Sequence, residues 1–236
     1  MIYLSSFLGI VCTALMAVVL NKMPAKCFCD YDETPDQRHK APRAGKWALT
    51  ISAFVLASVF PVLFSRFGLS VKTAGFCMFS VILMMITLSD IRYCIIPDEL
   101  IIAGCILATA AVFPDILSGE DWRVRLAPVF GAAVGAGIIF GINALGRLLY
   151  KKDALGMGDL KLMIICGIAC GPSGTALAML SGILAAGIWF AVGIAVKRVR
   201  SESYMPLGPF LVLGTLFILC FRPMVDAFLA WYISLI

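Results

Sequence analysis

The chain has few histidine residues and few charged residues. It contains one histidine, His39, and neither an H-E-x-x-H nor a G-x-S-x-G sequence, which excludes the peptidases and hydrolases that depend on those motifs. Only 14% of its 236 residues are charged, whereas 61% are hydrophobic. A soluble globular domain carries about 25% charged residues. The composition therefore predicts an integral membrane protein.

Paired cysteines are also lacking, because no C-x-x-C occurs among the nine cysteines. Most of them lie in apolar segments, where cysteine behaves as a small hydrophobic residue, so we expect no disulfide framework. Cys27 and Cys29 share the first polar loop with His39. A C-x-C pair with no second pair is a weak zinc signal, and incidental thiols are the favoured interpretation. We therefore predict no metal site.

Long apolar segments dominate what is present. A helix needs about 17 to 25 apolar residues to cross a membrane. We predict an all-α fold, a polytopic transmembrane helix bundle with about eight spans, forming one domain over residues 1–236. The spans are 2–20, 47–64, 73–89, 95–113, 126–149, 157–171, 174–196 and 207–221. Residues 223–236 are too few to cross alone and would lie in the interface or extend the last helix past Pro223.

The connections between these spans carry an uneven share of the 19 basic residues. Fourteen fall on one side, including the polar loop 21–46, which we expect to be irregular. The other side has five, namely Arg66, Lys72, Arg123, Arg125 and Arg222. The positive-inside rule puts the richer side in the cytoplasm and the N-terminus outside, with the first span a retained anchor. Membrane topology thus explains the net charge of +5, which gives no reason to expect nucleic acid as a partner.

The fifth span contains a row of glycines at Gly131, Gly135, Gly137 and Gly141. Two G-x-x-x-G spacings in an apolar helix predict close approach of another helix backbone. A dinucleotide-binding fingerprint would need a preceding strand in a soluble context, and the sequence offers neither.

Two acids, Asp90 and Asp159, lie at the ends of apolar segments. An ionisable residue deep in a membrane helix costs about 2.5 to 3.5 kcal/mol on insertion scales, so such residues usually have a function. Asp90 closes the third span and Asp159 opens the sixth. The alternating direction of successive spans predicts that both lie at one depth, near the cytoplasmic interface.

Two neighbouring carboxylates in a partly dry site cannot both ionise easily, so the pair would share one proton. Aspartic proteases obtain a base and an acid from identical side chains in this way. The charged member draws a proton from water, which attacks a peptide carbonyl, and the protonated member polarises the carbonyl oxygen and later helps the amine to leave. This chemistry requires neither a metal nor a nucleophilic side chain.

Gly156 and Gly158 precede Asp159 and would let an extended peptide lie against the backbone beside the carboxylate. The alternative for this motif alone is a flexible helix start with a favourable first-turn acid. Asp98 and Glu99 follow Pro97 at another helix start, and there the structural interpretation is favoured.

Three ordered segments carry a resemblance to a known family. They read Ser-Asp90-Ile-Arg-Tyr-Cys-Ile-Ile-Pro97-Asp98, then Gly156-Met-Gly-Asp159-Leu-Lys-Leu, then Met205-Pro-Leu-Gly-Pro-Phe-Leu211. In order and spacing the chain resembles the type IV prepilin peptidases, membrane aspartyl proteases with a G-x-G-D motif. The N-terminal third departs from longer members, which carry two C-x-x-C zinc pairs, because only Cys27-x-Cys29 remains here.

The resemblance implies that Asp90 and Asp159 are the catalytic pair. The substrate would be a prepilin or pseudopilin with a single transmembrane helix, whose basic leader is cut at the cytoplasmic face of the inner membrane. Substrate-binding residues would be Gly156, Gly158, Pro97, Asp98, Pro206, Gly208 and Pro209. Proteolysis would need no cofactor. Members that also methylate the new N-terminus use S-adenosylmethionine, but the missing zinc pairs argue against carrying that second activity over to this chain.

Two other functions fit membrane acids. A proton- or cation-coupled transporter would also retain them, but it would place them near the bilayer midplane on broken helices. An inactive assembly subunit would use the acids only to cap helices.

Overall fold

The computed structural model describes residues 2–29, 45–119, 121–151, 155–196 and 206–234. Within these ranges it has one short 3-10 helix, Ala25–Phe28, and seven long helices. The long helices are α1 (Ile2–Lys22), α2 (Lys46–Phe67), α3 (Val71–Tyr93), α4 (Asp98–Ser118), α5 (Trp122–Tyr150), α6 (Met157–Ala195) and α7 (Gly208–Ile233). Each of the seven is long and apolar enough to cross a membrane. The predicted all-α, multi-pass membrane fold is confirmed.

Short connections make neighbouring helices antiparallel. Gly68, at a φ of 66°, ends α2, and Ser70 caps α3 by accepting a hydrogen bond from the Thr73 amide at 3.2 Å. Asp121 caps α5 in the same manner, with its Oδ1 accepting from the Arg123 amide at 3.1 Å. Side chains that accept from free amides at a helix start stabilise that start. These caps all lie at the same end of the bundle.

Helix α3 is the centre of the bundle. Most of its residues are buried, and Phe79, Leu83 and Ile86 are fully so. The other helices expose apolar side chains on their outer faces, as expected where lipid rather than water is the surrounding medium. Because Asp90 lies on α3, the most enclosed helix contributes one of the two acids.

The glycines of α5 divide into two groups. A Cβ at Gly131 would collide with the backbone of Gly167, and one at Gly135 would collide with the backbone of Met163. This pair therefore allows α5 and α6 to pack backbone against backbone, as the spacing predicts. Gly137 and Gly141 have nothing within 4 Å of an added Cβ. The second spacing thus does not contact another helix, and the expectation of close approach is wrong for it.

Helix α6 is interrupted at Gly171, which has a φ of 67° and a ψ of 176° and is followed by Pro172. An added Cβ at Gly135 would approach both Met163 and Thr175, which lie on opposite sides of the break. The chain must therefore fold back at Gly171, since a straight helix could not bring both residues to one point. The sequence predicted two spans here, 157–171 and 174–196, and the two parts of α6 on either side of Gly171 correspond to them, so the seven long helices of the described ranges contain eight helical segments.

Arg222 of α7 occupies the break in α6. Its Nη1 donates to the Cys170 carbonyl at 3.4 Å and its Nη2 to Ser173 Oγ at 2.7 Å, while its Nε donates to Asp226. A broken helix frees carbonyl groups that lipid cannot satisfy. The guanidinium supplies a donor to one of them, the Cys170 carbonyl, and Asp226 balances its charge.

The expectations for residues 223–236 and for the polar loop 21–46 have different outcomes. Helix α7 continues past Pro223 to Ile233, which confirms the interpretation of residues 223–236 as an extension of the last helix. The loop 21–46 falls largely on residues 30–44, outside the described residues, so its predicted irregular structure stays a prediction. The assignment of residues 1–236 to a single domain and the outward position of the N-terminus also stay predictions.

Candidate active site

Asp90 lies in the last turn of α3 and Asp159 in the first turn of α6. Both line one cavity of about 710 Å³ at the end of the bundle where α1 and α3 end and α4, α6 and α7 begin. The two carboxylates are close enough to interact electrostatically. The structure thus brings together the two acids that the sequence singled out, although their catalytic role stays a prediction.

Asp90 is the more enclosed of the two acids. The residue is only 6% exposed, and its Oδ2 has no hydrogen-bond partner among the described residues. Gly208, the first residue of α7, lies directly against it, since an added Cβ there would be 2.5 Å from Oδ2. A buried carboxylate oxygen without a partner is costly and needs an explanation. A shared proton or a bound substrate would provide one.

Asp159 has a different setting, at the start of its own helix. Gly156 is the N-cap residue of α6, with extended backbone angles of −72° and 156°, and Asp159 follows three positions later. Its carboxylate reaches back toward the Gly156 amide, as the third-position acid does in a capping box. The acid is half-buried, and Gly156 beside it is exposed. Gly156 therefore offers an exposed stretch of backbone beside the Asp159 carboxylate.

The turn between α3 and α4 is held by Ser89, which sequence reasoning missed. Ser89 is buried, and its Oγ donates to the Ile95 carbonyl at 2.6 Å. Cys94 makes the turn possible by adopting left-handed angles of 53° and 32°. The neighbour of Asp90 thus fixes the chain that leads from one side of the cavity to Pro97 at the other. A polar residue directly beside a membrane acid was the available signal.

The segment that leads into α6 is held by Asn143 of α5, which sequence reasoning also missed. Asn143 Nδ2 donates to the Leu155 carbonyl at 3.0 Å, and the Leu155 amide donates to Asn143 Oδ1 at 2.7 Å. We refer to these two hydrogen bonds as the Asn143–Leu155 pair. The signal in the sequence was an amide side chain in an otherwise apolar helix, where a polar group needs a partner.

The seven predicted substrate-binding residues lie in two places. Gly156, Gly158, Pro97, Asp98 and Pro206 line the cavity together with the acids. Gly208 and Pro209 are buried at the start of α7 behind that lining, where Gly208 contacts Asp90. Asp98 Oδ1 forms an ion pair with Lys161 Nζ at 2.6 Å, which joins the starts of α4 and α6.

The matched region of the chain identifies its relatives. Residues 77–191 match the type IV leader peptidase family. This stretch contains Asp90, and it contains Asp159 as the last residue of the G-x-G-D sequence. Residues 77–191 belong to the type IV leader peptidase family. The resemblance inferred from the three sequence segments is therefore confirmed.

Several similar proteins carry the name prepilin leader peptidase/N-methyltransferase. The protein from Bacillus subtilis (strain 168) is 24% identical over 181 residues, covering 77% of this chain and 68% of its own. The protein from Pseudomonas putida is 28% identical over 153 residues, covering 63% of this chain and 50% of its own. The chain thus spans from half to about two thirds of these relatives. No solved structure matches.

Some of the cysteines of this chain lie at the site. Cys27 and Cys29 line the cavity, and Cys29 Sγ lies 3.4 Å from the Ala25 carbonyl. All nine cysteines are free thiols. In the described part of the chain, no group of three or more His, Cys, Asp or Glu side chains is placed to hold a metal ion. His39 lies outside that part. The predicted absence of a metal site therefore stays a prediction, and no step below involves zinc.

Proposed function

We propose that this chain is a membrane-embedded aspartyl endopeptidase that removes the basic leader of a type IV prepilin or pseudopilin. The observation that carries the proposal is the convergence of Asp90 and Asp159 on one cavity at one end of a helix bundle. Family membership and the names of the similar bacterial proteins support it.

The chemistry follows from the two carboxylates. One of them, ionised, accepts a proton from a water molecule, and the water oxygen bonds to the scissile peptide carbon. The other, protonated, donates its proton to the carbonyl oxygen of the resulting tetrahedral intermediate. Collapse of the intermediate breaks the C–N bond. One hydroxyl of the intermediate returns its proton to the ionised carboxylate as the new C=O bond forms, and the other carboxyl gives its proton to the leaving amine. The pair ends with one proton, as it began, because water supplies both product ends.

The shape of the cavity favours an extended peptide. Gly156 is exposed at its rim and has no side chain, so a backbone can approach Asp159 from that side. Glu99 is exposed and lines the cavity together with Asp98. Opposite charge steers association. Asp98 is paired with Lys161, so Glu99 is the acid of the two that favours a basic leader. A substrate with one transmembrane helix would hold its leader at this depth.

The location is part of the proposal. We place the protein in the inner membrane with the cavity facing the cytoplasm, and the N-terminus outside. The support is the charge asymmetry, because the cavity end carries Lys22, Lys26 and Lys46 at the ends of α1, the 3-10 helix and α2. Basic residues in short connections are retained on the cytoplasmic side.

Cofactors are not needed for the proteolytic step. S-adenosylmethionine would be required for methylation of the new N-terminus, the second activity in the names of the similar proteins. The cavity residues argue for peptide hydrolysis, and none of them identifies a methyl-donor site, so we derive no step through that cofactor. Nucleic acid is not proposed as a partner.

The transporter alternative has no support in the structure or in the relatives. It requires acids near the bilayer midplane, whereas Asp90 and Asp159 lie at helix ends. The break in α6 at Gly171 is filled by Arg222, not by an acid that faces a pathway.

The test is cleavage of a candidate prepilin by detergent-purified protein, with mass measurement of the product N-terminus. Asp90→Asn and Asp159→Asn should each lower the rate by about 10³-fold or more, since losing one member of a catalytic pair removes most of its effect. Asp115→Asn is the matched control, because Asp115 pairs with Lys72 at the other end of the bundle.

One outcome supports the proposal and another overturns it. Loss of cleavage in both active-site variants and retention in Asp115→Asn would support the proposal. Full cleavage by Asp159→Asn would overturn it. With S-adenosylmethionine added, the same mass measurement reports any added methyl group, so methylation is decided separately from cleavage.

A further inference from the structure

The Asn143–Leu155 pair joins two parts of the chain at the cavity. Asn143 is on α5, and Leu155 lines the cavity one residue before the N-cap Gly156. The side-chain amide uses its donor and its acceptor on the carbonyl and the amide of the same residue, at 3.0 and 2.7 Å. A side chain that satisfies both main-chain groups of one residue fixes the orientation of the two peptide units that flank it as well as their position.

A second set of contacts fixes the same two helices farther from the cavity. Gly131 and Gly135 bring α5 into backbone contact with Gly167 and Met163 of α6. These contacts set the spacing and register of α5 against α6. They do not set the direction in which the chain enters α6, because Gly156 and Gly158 leave that entry conformationally free. The Asn143–Leu155 pair supplies the missing constraint.

The direction of entry matters for Asp159. Its carboxylate reaches back to the Gly156 amide, so a rotation of the Leu155–Gly156 peptide moves the group that the carboxylate contacts. Asp90 has no comparable freedom, because it lies within the buried central helix. The relative placement of the two acids therefore depends on how the α6 entry is held.

We propose that Asn143 is a positioning residue that holds the Leu155–Asp159 segment so that the Asp159 carboxylate faces Asp90. This inference rests on the proposed peptidase function for its catalytic consequence. Its structural content, the restraint of the segment by Asn143, does not depend on that function.

The first test is kinetic. Asn143→Ala should lower kcat for prepilin cleavage by about 10-fold or more, because small displacements of catalytic groups are costly. KM should stay within about twofold, since Asn143 is not among the residues that line the cavity. Asn143→Asp keeps the acceptor for the Leu155 amide but loses the donor to the carbonyl, so its kcat should also fall. Asn143→Gln, which retains both functions, should recover part of the loss.

The control for general destabilisation is Ser58→Ala, which removes an exposed hydroxyl that donates to the Phe54 carbonyl within α2. It should leave kcat and KM unchanged. Equal unfolding temperatures for Asn143→Ala and Ser58→Ala would show that the kinetic effect is local.

The second test is hydrogen exchange by mass spectrometry on a peptide that begins at least two residues before Leu155 and covers residues 155–159. Loss of the Asn143 acceptor should speed exchange of the Leu155 amide at least 10-fold, while peptides from α3 stay protected as in the unchanged protein. Unaltered exchange in this peptide overturns the inference, whether or not the protein cleaves prepilin. Altered exchange with wild-type kcat overturns the positioning role. If the unchanged protein cleaves no prepilin, the proposed function fails and the exchange result alone decides whether Asn143 restrains the segment.

Discussion

The two acids of the cavity have the same side chain but opposite settings. Asp90 lies near the C-terminus of the buried helix α3, where the helix dipole disfavours negative charge. Asp159 lies in the first turn of α6, where the dipole favours it, and is half-buried. The position of the Asp90 carboxylate also depends on a neighbouring helix, because Gly208, the first residue of α7, contacts it.

This difference shows how one pair of identical groups can hold one proton between them without being equivalent. An acid pair in symmetric surroundings would have no structural basis for a fixed division of roles. Here the chain supplies unequal surroundings through helix direction and burial alone. Substitutions around the two acids should therefore have unequal effects.

The largest difference in kcat/KM is expected between alanine substitutions at Gly208 and at Gly156. A Cβ at Gly208 would lie 2.5 Å from Asp90 Oδ2, whereas a Cβ at Gly156 would lie 3.7 Å from Asp159 Oδ2, an ordinary contact. Gly208→Ala should displace the Asp90 carboxylate and lower kcat/KM for prepilin cleavage by about 10²-fold, the scale of a 1 Å misplacement. Gly156→Ala should lower it by less than about 10-fold. Equal losses of kcat/KM in the two variants would contradict the unequal settings of Asp90 and Asp159.

The sequence predicted the fold and the two acids because both depend on strong local signals. Long apolar segments determine which residues cross the membrane. A carboxylate at the edge of such a segment is conspicuous because it is costly there. Gly131 and Gly135 were also identified correctly, but Gly137 and Gly141 show that the same spacing does not reveal whether a partner helix is present.

The supporting residues of the site could not be predicted in the same way. Ser89 bonds to the carbonyl of Ile95, across a turn that depends on left-handed angles at Cys94. Asn143 bonds to Leu155, which depends on how α5 meets α6. A serine or asparagine in an apolar segment signals that a polar partner exists, but only the packing of the bundle identifies the partner.

A smaller difference is expected in stability when each acid is neutralised. Asp159→Asn removes a negative charge from the favourable end of α6 and should lower the free energy of unfolding by about 0.3 to 1 kcal/mol. Asp90→Asn removes a buried negative charge from the unfavourable end of α3 and should leave that free energy unchanged or raise it. Thermal unfolding of both variants in one detergent measures the difference. A larger loss for Asp90→Asn than for Asp159→Asn would contradict the assignment of their settings.

The smallest effect is expected at the ion pair between Lys161 and Asp98, which joins the Asp159 side of the cavity to α4. Both side chains are more than a third exposed, at 36% and 44%, and exposed pairs contribute about 0 to 1 kcal/mol. Lys161→Met should therefore lower kcat/KM by no more than about threefold. Lys72→Met is the matched control, because it removes a similar pair with Asp115 at the far end and should leave cleavage unchanged. A loss in Lys161→Met as large as that in Gly208→Ala would mean that the Asp159 side of the cavity is held as rigidly as the Asp90 side.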